Sequence, residues 1–332
     1  MLKISTAPHM SSSKNTNILM RDVVIALLPA AFAAIFIFGI GALKVIITSV
    51  AGCVLFEYLV NRYLFKSKTN TIRNFSAIIT GMLLAFNLPS SMPCWMILLG
   101  CFMSIVVAKM AFGGLGKNIF NPALVGRVFL FISFPVQMTN WPKPDWRNFL
   151  NIDVQTGATT LNMLKHIDAQ NSATSSSSQI SELPDYAEMF LGYIGGSLGE
   201  VSALALLIGL GYMLYRKVIT WHIPFYYIAT VFMITGLMWL LTDNPQYDPI
   251  THILSGGLML GAIFMATDYV TSPMSKSGQI VFAIGCGILT VAIRLYSSYP
   301  EGVSFAILVM NAFVPLIDTY WKPRIFGKGG RA

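Results

Sequence analysis

Apolar residues run along this chain in blocks of about 17 to 25, and about 20 in a row is what a helix needs to cross a hydrocarbon core. Ten such blocks predict ten transmembrane helices, near 22–40, 44–61, 74–88, 93–111, 119–136, 199–215, 221–241, 250–267, 279–295 and 303–320. The polar intervals between them are short, except for one over 137–198. The first block follows about twenty polar residues and is too long for the core of a signal peptide, so it reads as a retained span.

Composition agrees with the pattern: 55% of residues are hydrophobic and 11% are charged, against roughly a quarter charged in an average soluble domain. The net charge of +8 does not indicate nucleic acid, because the Lys and Arg residues sit between apolar blocks instead of gathering on one face. The four cysteines, Cys53, Cys94, Cys101 and Cys286, all fall inside predicted spans with no Cys-x-x-Cys spacing. No disulfide, zinc site or iron–sulfur cluster is expected from this chain alone.

Loop charge orients the spans. With ten helices, alternate loops share a side. One side, which includes both termini, holds sixteen Lys/Arg residues, and the other holds five: Lys44, Lys143, Arg147, Lys165 and Arg294. The richer side is cytoplasmic by the positive-inside rule, so the 137–198 loop is extracytoplasmic. Within it Ser172–Ser178 has no apolar period and reads as a flexible segment.

The expected architecture is therefore an all-α polytopic membrane protein of two five-helix halves. Residues 1–21 form a cytoplasmic N-terminus, 22–136 the first half, 137–198 the outer loop, 199–321 the second half and 322–332 a cytoplasmic C-terminus. An odd number of spans per half makes the second inverted relative to the first, an arrangement common among transport folds. Gly81 to Pro93 and Gly261 to Pro273 share one interval, although only those Gly and Pro residues are identical across it.

Four stretches carry candidate chemistry. Gln155-Thr156-Gly157-Ala158-Thr159-Thr160-Leu161 gathers small and hydroxyl residues in the outer loop. It reads either as an uncrowded nucleophile at Thr159 or as a helix start capped by Thr156. Asn87–Ser91 and Thr267–Pro273, the latter including Asp268 and Thr271, are polar, helix-breaking ends. In a bilayer such backbone survives where protein or a water-filled cavity satisfies it, and an interfacial turn explains it equally well. In Gly113–Ala123, Pro122 suits a first helical turn, and Asn118 and Asn121 are spaced to share a face and hydrogen-bond a flat heterocycle. No Gly-Lys-Ser/Thr sequence is present there, which argues against a nucleotide loop.

Taken with Gly196–Glu200 and Met310–Asp318, the stretches Thr156–Thr159, Gly113–Ala123 and Thr267–Pro273 make nearly the whole chain resemble the D subunit of the Rnf-type ion-translocating electron-transport complex. That family is related to the B subunit of the sodium-pumping NADH:quinone oxidoreductase. The resemblance implies a subunit of a complex that couples electron transfer between ferredoxin and NAD to Na+ or H+ translocation. It implies FMN on Thr159 through a phosphoester, attached by a separate flavin transferase, and a second, non-covalent riboflavin toward the cytoplasmic side, where Asn118 and Asn121 match its place. It also implies other membrane and redox subunits as partners, including a second covalent-FMN subunit, in a bacterial or archaeal cell membrane. Thr156 stands where Ser or Asp is more usual.

Charged residues inside membranes are functional candidates. Here they are Glu57, Arg127, Glu200, Asp268 and Asp318, with Glu200 the first choice for ion coupling because it follows a Gly-rich re-entry. Ten spans fit two other readings equally. One is an inverted-repeat solute transporter or channel, urea-transporter-like, in which Thr159 is an ordinary loop residue. The other is a structural membrane subunit without a cofactor.

Overall fold

The computed structural model describes residues 15–66, 74–142, 156–157, 159–171, 184–200, 202–242, 244–297 and 301–322. Residues 1–14, Ala158, the Ser-rich stretch 172–178 and the tail beyond Lys322 lie outside the described residues. The chain is mostly helical. In order come α1 (Thr16–Phe38), α2 (Ile40–Leu59, continued by a wider turn to Leu64), α3 (Ser76–Phe86), α4 (Cys94–Phe102, continued to Met110) and α5 (Pro122–Ser133). The short α6 (Pro135–Met138) leads to two antiparallel two-residue strands, β1 (Trp141–Pro142) and β2 (Thr156–Gly157), then α7 (Thr160–Asn171) and α8 (Tyr186–Leu191). The remainder comprises α9 (Ala203–Tyr215), α10 (His222–Thr242), α11 (Pro249–Leu254), α12 (Leu258–Leu260, continued to Met265), α13 (Lys276–Tyr296) and α14 (Val303–Tyr320).

Among the described residues, five helical segments are long and apolar enough to cross a membrane: α1, α2 with its extension, α10, α13 and α14. The protein is a multi-pass integral membrane protein. The third to sixth predicted spans are shorter helices of 10–17 residues, and the eighth is broken between Leu254 and Leu258. Hydropathy could not register these differences, because the residues that end the helices are themselves apolar or small. Gly256 and Gly257 take φ of +74° and +66°, the left-handed conformation that interrupts a helix at little cost when no side chain is present.

Helix starts follow local chemistry. Pro122 occupies the first turn of α5, whose cap is Asn121, and the Ser202 and Ser275 side chains cap α9 and α13. Because α5 begins only at Pro122, Asn118 lies in the loop before it, and the expected shared helical face of Asn118 and Asn121 is not formed.

Packing runs in parallel through the two halves. Helix α2 lies against α3 and α4 as α10 lies against α11 and α13; α4 meets α5 as α13 meets α14; and α1 packs on α9. Asp22 of α1 and Arg216 at the end of α9 form an ion pair of 3.1 Å across that last contact. Large apolar side chains such as Phe32, Phe36, Ile132, Leu240 and Leu241 face outward, and Tyr63, Tyr215, Tyr296 and Tyr320 stand exposed at segment ends. This is the pattern of a lipid-facing surface with interfacial aromatics.

Helix α3 has 11 residues, about 16 Å at 1.5 Å per residue, roughly half a hydrocarbon core. Its free carbonyls are nevertheless satisfied. The Gly199 N–H donates to Phe86 O at 2.8 Å and the Leu198 N–H to Leu88 O at 3.2 Å. A Cβ on Gly199 would lie 2.4 Å from Phe86 Cβ, so glycine is needed for the two breaks to touch. The ends of interrupted helices thus meet inside the protein, where irregular backbone is tolerated in a membrane.

Candidate functional site

The described residues form two polar regions. The first is a cavity of about 80 Å³, partly open to solvent and lined by α1, α3, α5, α9 and the segments flanking them. Asn118, Asn121, Thr267 and Asp268 all line it, together with Lys109, Ser76 and Tyr269; Leu83, Met213 and Phe264 supply apolar wall. An apolar wall with a few convergent polar groups is the usual lining of a small-molecule site.

Most of these polar groups are already committed. Asn121 accepts the Ala123 N–H through Oδ1 and donates to Met265 O at 3.1 Å through Nδ2, so it joins α5 to the end of the α12 segment. Asn311 of α14, with its amide oriented to satisfy both ends, donates to Thr271 O at 3.0 Å and accepts the Asn121 N–H at 3.2 Å. Thr271 sits behind the cavity wall and donates to Asp268 Oδ2 at 3.1 Å, while the Thr267 hydroxyl donates to Ile263 O of its own helical turn. Asn118 donates to Phe120 O and keeps its side-chain oxygen for the cavity. Asn118 and Asp268 are therefore the polar groups best placed to meet a ligand, with Asn121, Thr271 and Asn311 as the frame.

Lys109 departs from expectation. Assigned by the charge pattern to a cytoplasmic loop, it is 2% exposed and donates to Glu57 Oε2 at 2.6 Å and Ser76 Oγ at 2.8 Å. Arg294, assigned to the other side, is equally buried. Neither is a loop charge, and the bias between the two sides survives their removal.

The second region lies where α7 docks. Here Thr159, not Thr156, caps the helix: its Oγ1 accepts the Asn162 N–H at 3.3 Å and its carbonyl the Met163 N–H. Thr156 and Gly157 instead pair with Pro142 and Trp141. The Thr159 hydroxyl is buried, which revises the expectation of an uncrowded nucleophile. Leu161 and Leu164 bury the underside of α7 over Gly256, where a Cβ would lie 2.3 Å from Leu161 Cδ1. Beneath them the Arg294 guanidinium donates to His252 O at 2.6 Å, Ser255 O at 2.9 Å and Gly256 O at 3.1 Å. These are carbonyls at the broken end of α11, where a cation is favoured.

Between the two regions, Arg127 of α5 donates to Asn87 Oδ1 at 2.8 Å and Ser304 Oγ at 2.6 Å, and pairs with Glu301. Glu200 is buried, accepts from the Ser197 backbone N–H and hydroxyl, and lies within electrostatic reach of both Arg127 and Arg294. Asp318 accepts the Met274 N–H near the end of the last helix. Sequence reading did not single out Lys109, Arg294, Glu301 or Asn311. Lys109, Arg294 and Glu301 lie at or near the end of an apolar block, where solvation is the default assumption, and Asn311 is a single uncharged residue in the middle of one.

Against known proteins, the model of the NQR2, RnfD, RnfE family matches residues 3–327. The chain is 44% identical over 324 residues, 98% of its length and 96% of the relative's, to the D subunit of the proton-translocating ferredoxin:NAD(+) oxidoreductase complex of Clostridium ljungdahlii. It is 41% identical over 329 residues, 98% of its length and 95% of the relative's, to the D subunit of the Na(+)-translocating ferredoxin:NAD(+) oxidoreductase complex of Acetobacterium woodii. The D subunit of the ion-translocating oxidoreductase complex of Stutzerimonas stutzeri is 38% identical over 335 residues, 94% of this chain and 92% of its own.

Proposed function

Because the chain belongs to the NQR2, RnfD, RnfE family, we propose that it is the flavin-carrying membrane subunit of an ion-translocating ferredoxin:NAD oxidoreductase complex. Similarity over nearly its full length to relatives named as the D subunit of such complexes is the observation that carries this reading. The solute-transporter alternative gives way to it. As in those relatives, the partners are the other subunits of the complex. The membrane is a bacterial or archaeal cell membrane, with both termini cytoplasmic, the 137–198 loop outside and the two halves inverted. In support, the cavity draws its polar lining from segments that the charge bias assigns to the cytoplasmic side, while Thr159, Arg294 and Glu301 belong to segments assigned to the other.

Two flavins are part of the proposal. A non-covalent riboflavin occupies the cytoplasmic cavity, whose apolar walls can face a flat ring and whose Asn118 and Asp268 can meet its polar edge. FMN is attached through a phosphoester at Thr159 by a flavin transferase and exchanges electrons with a second FMN subunit. The fit at Thr159 comes from its place as the cap of a 12-residue helix: a phosphate on Oγ1 would face the unpaired N–H groups and positive end of α7. Since that hydroxyl is buried, modification precedes docking of α7 or requires its first turn to lift. When bound, a flavin passes electrons singly or in pairs between partner centres. The chain's own part is to hold each ring, fix its position and exclude water.

A denaturing gel of the chain made alongside its transferase tests the cofactor. A fluorescent band at this chain's mass and an FMN adduct on the peptide spanning 156–160 are expected, and an unmodified peptide would refute the assignment. Topology is tested by impermeant thiol labelling of single cysteines on intact cells. Labelling at 175 is expected; labelling at 3 or 328 instead would reverse it.

A further inference from the structure

We infer that Glu301, Ser304 and Asn87 form a site for an alkali cation of Na+ size, and that Arg127 holds this site as a tethered cation in the state seen here. The inference rests on the ion-translocating reading and names residues for it. Three side-chain oxygens of different kinds converge on one guanidinium: a carboxylate from Glu301, a hydroxyl from Ser304 and an amide oxygen from Asn87. All three residues are buried. Hard oxygen ligands with one formal charge suit a hard cation. A site meant only for a proton would need the carboxylate alone and would have no use for the other two oxygens.

What makes exchange feasible is a second counter-ion. Glu200 is buried, lies within electrostatic reach of Arg127 and is hydrogen-bonded through Ser197. Arg127, Arg294, Glu200 and Glu301 together sum to zero charge. If an alkali cation replaces the guanidinium at Glu301, Arg127 can turn toward Glu200, so that each of the two exchanging cations keeps a carboxylate in reach while the group carries the one positive charge of the ion in transit.

The setting suits such a switch. Asn87 stands at the free end of the half-length α3, where Nδ2 already donates to Leu83 O, so Oδ1 is fixed toward Arg127. Ser304 and Glu301 open α14. Interrupted helices that meet inside a membrane protein are where coupling ions commonly bind. Glu200 follows the Gly196–Gly199 break whose N–H groups hold the end of α3, so a movement of Arg127 toward Glu200 would be felt at the junction between the halves. Arg294, also within reach of Glu200, carries the same charge to the surface that α7 covers.

The test uses the assembled complex in proteoliposomes, with ferredoxin-driven NAD reduction and 22Na+ uptake measured together against Na+ concentration. Ser304→Ala, a small change that leaves the Arg127–Glu301 pair intact, is expected to raise the half-saturating Na+ concentration at least tenfold, with activity recovered at high Na+. Glu301→Gln is expected to abolish Na+ uptake while covalent flavin and assembly, checked on the same sample, remain. A wild-type complex that moves no ion at all would refute the ion-translocating reading itself. A wild type that moves protons without Na+, or a Ser304→Ala variant with unchanged Na+ response, would overturn the site while leaving that reading intact.

Discussion

The cavity lined by α3 and α5 and the surface beneath α7 differ in room and in charge. The cavity offers about 80 Å³ with few polar groups, most of them tied into the frame. Under α7 the space is only about 10 Å³, and it is crowded by Arg294, His252, Gln246 and Lys165. A roomy, apolar-walled site can retain a flat ring by burial alone. A tight, charged surface cannot, and a cofactor working there must be tethered. The contrast fits the proposal of non-covalent binding in the cavity and a phosphoester at Thr159.

The strongest way to break this comparison is Thr159→Val, which keeps the shape of the side chain and removes the oxygen. Gel fluorescence and the adduct mass should vanish, and ferredoxin-to-NAD electron flow in the complex should fall to background, while extractable flavin in the cavity stays. Covalent flavin persisting in this variant would show that the tether is elsewhere.

Next in size is Lys109→Met, which leaves Glu57 buried without its cation. Breaking a buried pair by removing one partner costs about 3–5 kcal/mol, so thermal unfolding of the purified complex should drop sharply. The double change Lys109→Met with Glu57→Leu should restore most of the loss. If the single variant is as stable as wild type, the pair is not the strut that its 2.6 Å contact implies.

A smaller effect is expected from Asn118→Leu, which removes one candidate contact without disturbing a helix cap. Retention of extractable flavin should weaken roughly five- to tenfold, the scale of one hydrogen bond of about 1 kcal/mol. Asn121→Leu is the less clean probe, because losing the cap of α5 adds about 1 kcal/mol of destabilisation. The smallest change is Lys165→Met, which removes a hydrogen bond from α7 to Ser297 O. Faster amide exchange in α7, with global stability shifted by about 1 kcal/mol or less, would show that this contact only seats the helix.

That the chain crosses a membrane several times was legible because lipid imposes length and apolarity, and several helix-breaking stretches were legible because Asn, Pro and Gly announce themselves. Thr159 and the Asn118–Asn121 segment stood out for the same reason. Burial was not legible. Lys109 and Glu57 are 52 positions apart, and Arg127 and Glu301 are 174 apart, and nothing local to either member specifies its partner. The exchange of Thr156 for Thr159 as helix cap shows the same limit. Either hydroxyl could cap, and pairing of β2 with β1 took Thr156 away.

By itself the sequence determined a multi-pass helical membrane protein and its charge asymmetry, both of which depend on composition within about twenty residues. Only the tertiary structure decided that interrupted helix ends meet, that four buried charges sum to zero, and that two loops far apart in sequence close one cavity. The physical reason is that a buried ion is tolerated only where a counter-ion stands within a few ångströms, and that distance is a property of packing, not of the order of residues along the chain.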